Sequence, residues 1–179
     1  MSRERFVRLF FALEPSAENK SLIADWRERA WPPMARAVPA ANFHITLVFL
    51  GEVAEHKLEQ LGDSVESISA APFISYFTQV GFWPKPGILW LGSVDDAGPL
   101  QSLAVALRRA ANSAGLRSDT RGYIPHLTLQ RAVRDAPPAP IVAPDFTLHF
   151  DRFTLFESQQ TRTGVRYVER AEWPLRGFA

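Results

Sequence analysis

Two stretches, FHITLVFLG over residues 43–51 and PHLTLQR over residues 125–131, share a His-apolar-Thr-Leu core and hold two of the four histidines. Counting back from each histidine reveals the same order. Before His44 come the strand-like run RLFFALEP and a helix over about 16–30 with Leu22, Ile23, Trp26 and Ala30 on its apolar side. Before His126 come ILWLGSVD and a helix over about 99–113 with Leu100, Leu103 and Leu107 inward. Arg8 aligns with Ile88 as His44 aligns with His126. Strand, helix, His-strand therefore occurs twice, which is too few repeats for a solenoid. The halves are expected to pack as pseudo-symmetric lobes, each contributing one His-strand to a shared cleft.

The remaining segments fill in that frame. Trp31-Pro32-Pro33 stops the first helix. A second helix carries Leu58, Leu61, Val65 and Ile68 on one stripe and ends before Pro72. Strands are expected over 73–82 and 88–94 around a Pro-Lys-Pro-Gly turn, with Gly115 as the C-terminal stop of the 99–113 helix. Residues 135–144 are proline-rich and read as a surface connection, while 146–156 and 165–173 read as a closing hairpin around 161–164.

Composition narrows the chemistry. At 179 residues the chain suits a single domain, 1–179, made of two small lobes. Without cysteine there are no disulfides or thiolate metal sites, and a cytoplasmic setting is expected. The apolar run near the N-terminus is too short for a signal segment or membrane span. A net charge of +1 means that an anionic partner has to be held by a local cluster. Arginine supplies nearly all of the positive charge, since lysine occurs only at Lys20, Lys57 and Lys85. Arginine forks onto phosphate oxygens.

Side chains alternate along a strand, so His44 and Thr46 share one face while Ile45, Leu47 and Phe49 take the other. His126 and Thr128 repeat this against Leu127 and Leu129. Two imidazoles across a groove, each titrating near neutrality, supply the two proton transfers of an in-line displacement at phosphorus. The threonine hydroxyls suit the non-bridging oxygens, where charge grows in the transition state. This chemistry needs no metal and no cofactor.

HITL and HLTL resemble the paired H-x-T-x motifs of the two-histidine (2H) phosphoesterases. With RLFFAL, NFHITLVFLGEV, GILWLG, PHLTLQR, LFES and a terminal W-P-L, the chain is similar over nearly its whole length to the RNA 2′,3′-cyclic phosphodiesterase family, also called 2′-5′ RNA ligases. The resemblance implies an α+β fold, a bilobal pseudo-symmetric duplication with two antiparallel sheets facing a central cleft and helices on the outside, and metal-independent opening of 2′,3′-cyclic phosphates at RNA ends to 2′-phosphomonoesters. Some members also join or cleave 2′-5′ linkages in tRNA halves. It further implies that His44 is the acid toward the departing 3′ oxygen and His126 the base toward water, with the roles exchanged in the ligating direction. Expected partners are RNA with 2′,3′-cyclic phosphate ends, tRNA fragments included; no membrane partner is expected, and the chain reads as a monomer. The alternatives are a phosphodiesterase for small cyclic nucleotides and a non-catalytic RNA-binding module.

Family members often carry a basic residue just before the second Pro-His. Here Ile124 stands there, so any phosphate contact is lost or moves to a neighbour such as Arg121. Arg131 matches the arginine that often follows the second motif and is expected to bind substrate phosphate. Strict alternation puts it opposite His126, so a bulge or strand end is required. His56 and His149 lack a partner motif and read as ordinary surface histidines. Of Phe10, Phe11, Trp83 and Trp90, most are expected in the core, with base stacking as the other use. Arg162 and Arg166 are expected on a solvated hairpin.

Overall fold

Along β1 (Phe6–Leu13), Val7, Leu9, Phe11 and Leu13 are buried on one face, while Arg8, Phe10 and Ala12 lie on the other. That two-residue period divides the whole molecule into a helix-covered face and an open one. The structure is a computed structural model that describes residues 4–33, 36–93, 98–119 and 121–177. The chain continues through α1 (Ala17–Ala30), β2 (Ile45–Ala54), α2 (Leu58–Glu66), β3 (Phe73–Trp83), β4 (Ile88–Ser93) and α3 (Pro99–Ser113). It closes with β5 (His126–Gln130), β6 (Phe146–Phe150), β7 (Arg152–Thr161) and β8 (Gly164–Pro174). Among the described residues no helix is long and apolar enough to cross a membrane.

The strands are antiparallel, in the order β6-β3-β4-β5-β2-β1-β7-β8. The two expected antiparallel sheets are halves of one eight-stranded sheet, continuous through one pair, Ile45 opposite Leu127. Strand β1 beside β2 on one side of that seam matches β4 beside β5 on the other. Residues 146–156 are not one strand. The chain breaks at Asp151, whose carbonyl accepts from Leu175 N at 2.7 Å, so β6 joins β3 while β7 joins β1 at the opposite end. The strand expected to reach Val94 ends at Ser93, and Val94 lies outside the described residues.

The helices form where their local signals place them. Ser16 Oγ caps α1 by accepting from Asn19 N at 3.1 Å. Its buried side is Ile23, Trp26, Arg27 and Ala30, whereas Leu22, expected inward, is 48% exposed. Helix α3 ends at Gly115, whose φ of 71° is left-handed. Leu116 N donates to Ala111 O at 2.9 Å and Gly115 N to Asn112 O at 3.0 Å, which is the Schellman arrangement. Leu100, Leu103 and Leu107 of α3 join the β-sheet core with Ile23, Trp26, Leu89, Leu91, Leu127 and Leu129.

Arg27 is a charge inside this core. Its Nη1 donates to Val38 O at 2.6 Å and Leu129 O at 2.9 Å, and its guanidinium lies 5.2 Å over the Phe43 ring. Burial lowers its pKa from the ordinary arginine value. It therefore ties α1 to the chain before His44 and to the end of β5. Arg27→Met should cost on the order of 3 kcal/mol in a urea titration, since charged hydrogen bonds are among the stronger polar contacts. A loss below about 0.5 kcal/mol would show the tie to be dispensable.

Candidate active site

His44 directly precedes β2 and His126 opens β5, so the two histidines flank the seam pair Ile45 and Leu127. Because that pair is antiparallel, Thr46 runs past the seam on the His126 side and His44 on the Thr128 side. Alternation puts all four side chains on the open face, where His44, Thr46 and His126 line the groove and Thr128 is not among the lining residues.

Each imidazole is held in the same way. His44 Nδ1 lies 2.8 Å from Asn42 O and His126 Nδ1 lies 2.8 Å from Ile124 O. A carbonyl only accepts, so both Nδ1 atoms carry hydrogen and Nε2 is the atom left for chemistry. His44 Nε2 lies 3.1 Å from Thr46 Oγ1. When His44 is neutral, the threonine hydroxyl donates to that nitrogen.

Aromatic rings fix the orientation. Phe10 is centred 5.1 Å from His44, and Tyr167 meets His44 edge-on at 4.9 Å. On the other side Trp83 meets His126 edge-on at 4.6 Å, backed by Trp90 at 6.2 Å. Phe10 and Trp90 occupy matching places on β1 and β4. Trp90 lies flat over two glycines: a Cβ at Gly81 would fall 1.9 Å from its ring and one at Gly92 2.4 Å from it. Of the four aromatics singled out in the sequence, only Phe11 belongs to the main core; Phe10 sits in a small cluster with Ala12 and Phe156 beneath Tyr167.

Two adjoining chambers make the groove. One, of about 860 Å³, holds His126 between Trp83, Pro84, Pro86, Tyr123 and Ile124. The other, of about 760 Å³, holds His44 with Arg8, Arg36, Asn42, Gln160 and Tyr167. Thr46, Phe49 and Arg131 line both, so they mark the junction. Three bulges explain why two of these residues face the groove. In β5, Thr128 pairs with Trp90 and Gln130 with Leu89, leaving Leu129 without an opposite number. That extra residue buries Gln130 and turns Arg131 into the groove at the strand end. In β2, Leu47 and Leu50 are the extra residues against β1. Phe49, expected inward beside Leu47, is instead 39% exposed on the groove face.

The electrostatics follow from this packing. Burial, then the positive charges of Arg131, His126 and Lys20, depress the His44 pKa to about 4, against the hydrogen bond to Asn42 that favours its proton. Burial and Arg131 likewise lower His126, against its bond to Ile124 O. Both rings are therefore neutral at pH 7, beside an unneutralised guanidinium. Arg121, the alternative to a basic residue at 124, is held by Asp119, with Nε 2.9 Å from Oδ2. His56 pairs with Glu4 at 2.9 Å, and neither it nor His149 lines either chamber. Arg162 and Arg166 are exposed on the β7–β8 hairpin, as expected. The sequence reading missed Arg8, Arg36 and Tyr167; the Arg8 position on the Phe10 face was the one available signal.

Comparison with known proteins places this site in a family. The model of the 2′-5′ RNA ligase superfamily matches residues 13–143. A protein of Escherichia coli named RNA 2′,3′-cyclic phosphodiesterase is 34% identical over 169 residues, covering 94% of this chain and 96% of its own. One of the same name from Archaeoglobus fulgidus is 37% identical, covering 73% and 76%. The crystal structure of E. coli LigT in apo form superposes with a TM-score of 0.86 at 34% identity, over 94% of this chain and 97% of that one. With the family model spanning both sides of the groove, the chain belongs to the 2′-5′ RNA ligase superfamily.

Proposed function

We propose that this chain is an RNA 2′,3′-cyclic phosphodiesterase that opens terminal cyclic phosphates to 2′-phosphomonoesters by paired-histidine catalysis. The observation that carries this reading is the doubled imidazole: each Nδ1–H is locked on a carbonyl two residues upstream, with Arg131 lining the chamber of each. The relatives' shared name supports the substrate class. The described strands also support one domain of two pseudo-symmetric lobes, since the strand order reads alike from the seam outward.

In the hydrolytic direction water attacks phosphorus while His126 Nε2 takes its proton. The bond from phosphorus to the 3′ oxygen breaks, and His44 Nε2–H protonates that oxygen. Thr46, Thr128 and Arg131 hold the non-bridging oxygens as their charge grows. A 2′-5′ ligation is the same path with a 5′ hydroxyl in place of water and the same two roles, which corrects the exchange expected above; the roles exchange when that linkage is cleaved back to the cyclic phosphate. His44 has to be charged to act as the acid, and its own substrate supplies the reason. A phosphate anion beside the rings attracts the proton that burial and the Arg131 charge otherwise keep away.

The direct test is an oligoribonucleotide ending in a 2′,3′-cyclic phosphate, incubated with the protein in excess chelator. Turnover should persist and yield the 2′-monoester, because the groove offers imidazole, hydroxyl and guanidinium groups. Loss of turnover restored by one particular divalent metal would refute the metal-independent path.

A pH series tests the pairing. The quotient kcat/KM reports the free enzyme, where His44 stands near 4 and His126 lies below 6.5. Only the singly protonated pair is productive, so kcat/KM should peak on the acid side of pH 6.5. It should fall below the peak as the base gains a proton, and above it as the acid loses one. Both limbs should move upward in kcat, because bound phosphate favours protonation. The two values belong to the pair and not to either ring. An alkaline plateau in kcat/KM would mean that no protonated histidine is needed.

A further inference from the structure

The His44 chamber carries more positive charge than one cyclic phosphate can use. Arg8, Arg36 and Arg131 line it, and no Asp or Glu does. Among the described residues, none of these three guanidiniums is in an ion pair. The His126 chamber also holds Lys85, Arg108 and Arg121, but its walls are largely apolar and its Arg121 is held by Asp119.

The three arginines line one chamber with His44. Arg131 lines both chambers, and its charge is among the causes that lower the pKa of each histidine. Its backbone N donates to Arg36 O at 3.1 Å, while Val38 N donates to Leu129 O at 3.0 Å, so Arg36 is pinned beside the end of β5. Arg8 shares a face of β1 with Phe10, the residue that packs on His44, and stands about 7 Å farther along the strand. Its guanidinium is steadied 5.0 Å over the Phe49 ring.

We propose that Arg8 and Arg36 form a second phosphate subsite, which takes the internucleotide phosphate on the 5′ side of the terminal ribose. The preferred substrate is then an RNA end of two or more nucleotides, not a mononucleotide cyclic phosphate. This rests on the reading that the cleft opens 2′,3′-cyclic phosphates. If His44 protonates the 3′ oxygen, the terminal ribose lies on its side of the groove, and the strand leading away from that ribose enters the same chamber. Arginine forks match the two free oxygens of a phosphodiester.

The test compares adenosine 2′,3′-cyclic phosphate with an adenosine dinucleotide bearing the same cyclic end and one internal phosphodiester. The dinucleotide should show a kcat/KM at least about tenfold higher, the scale of one charged hydrogen bond. Its logarithm should fall with log salt more steeply by about 0.7, the increment for one further phosphate on a single strand. In R8Q/R36Q the dinucleotide-to-mononucleotide ratio should collapse toward about one and the extra salt slope should disappear, whereas R8K/R36K should retain part of both. A dinucleotide with an uncharged methylphosphonate linkage should behave like the mononucleotide. A ratio near one in the unaltered protein overturns the subsite, as does a ratio that survives R8Q/R36Q. An advantage kept by the methylphosphonate also overturns it, because recognition would then lie in the second nucleoside. If neither cyclic phosphate is opened at all, the activity on which the subsite rests is what fails.

Discussion

Replacing His44 or His126 by alanine should lower turnover of a cyclic-phosphate RNA end by about a hundredfold to ten-thousandfold, the range for loss of a general acid or base. Neither change should unfold the protein. Both rings are half-buried at the groove, outside the main apolar core, and both are kept neutral by their surroundings. Removing His44 abolishes one buried group that resists protonation, so stability at low pH should not fall relative to the unaltered chain. The sign is fixed by the depressed pKa: between 6.5 and about 4 the unfolded state takes up a proton at His44 that the folded state refuses. The double variant should lose less than the product of the two single losses, since a displacement lacking either proton transfer gains little from the other. His→Gln variants should each flatten one limb of the residual pH profile. Near-unaltered turnover in either alanine variant would end the two-histidine mechanism. A protein that binds RNA ends without any turnover would point to the non-catalytic alternative.

Arg131→Gln should reduce kcat/KM by roughly ten- to a hundredfold, which corresponds to a charged hydrogen bond of about 1.5–3 kcal/mol at 1.4 kcal/mol per tenfold. Its second effect separates this residue from an ordinary surface charge. Arg131 is among the causes that lower both histidines, so its removal should let both pKa values rise toward 6.5. The acid limb of kcat/KM then moves to higher pH, and more of the His44 population is charged in the resting enzyme. Arg131→Lys should retain the electrostatic shift better than the transition-state contact, because ammonium keeps the charge but loses the fork. If Arg131→Gln changes neither kcat/KM nor the limbs, the arginine has no part in the site.

The position of Arg131 shows where sequence reasoning stops. The paired H-x-T-x strands, the helix ending at Gly115 and the shared face of His44 and Thr46 were legible because each rests on local rules: alternation, helical spacing and the left-handed preference of glycine. The facing of Arg131 and Phe49 was not, because a bulge resets alternation and only the opposing strand reveals that a residue is extra. Alternation alone placed Phe49 with Leu47; pairing with β1 turned it to the groove beside Arg8.

Longer-range features divide in the same way. Residues 146–156 read as one strand because both parts are apolar, yet β6 and β7 end up at opposite sides of the sheet. That choice depends on the free edges of β3 and β1, which no local pattern encodes. Arg27 is buried because Val38 O and Leu129 O, far apart in sequence, converge on its guanidinium, and a helical spacing that admits Leu22 or Arg27 inward cannot show which has partners. The sequence by itself determined the chemistry, two imidazoles with two hydroxyls, and the order of the elements that carry them. Tertiary structure decided the single seam at Ile45 and Leu127, the unequal chambers on either side of it, and the arginines that line them. Periodicity is written residue by residue along the chain, whereas pairing, bulging and burial are settled by whichever distant segment a strand meets.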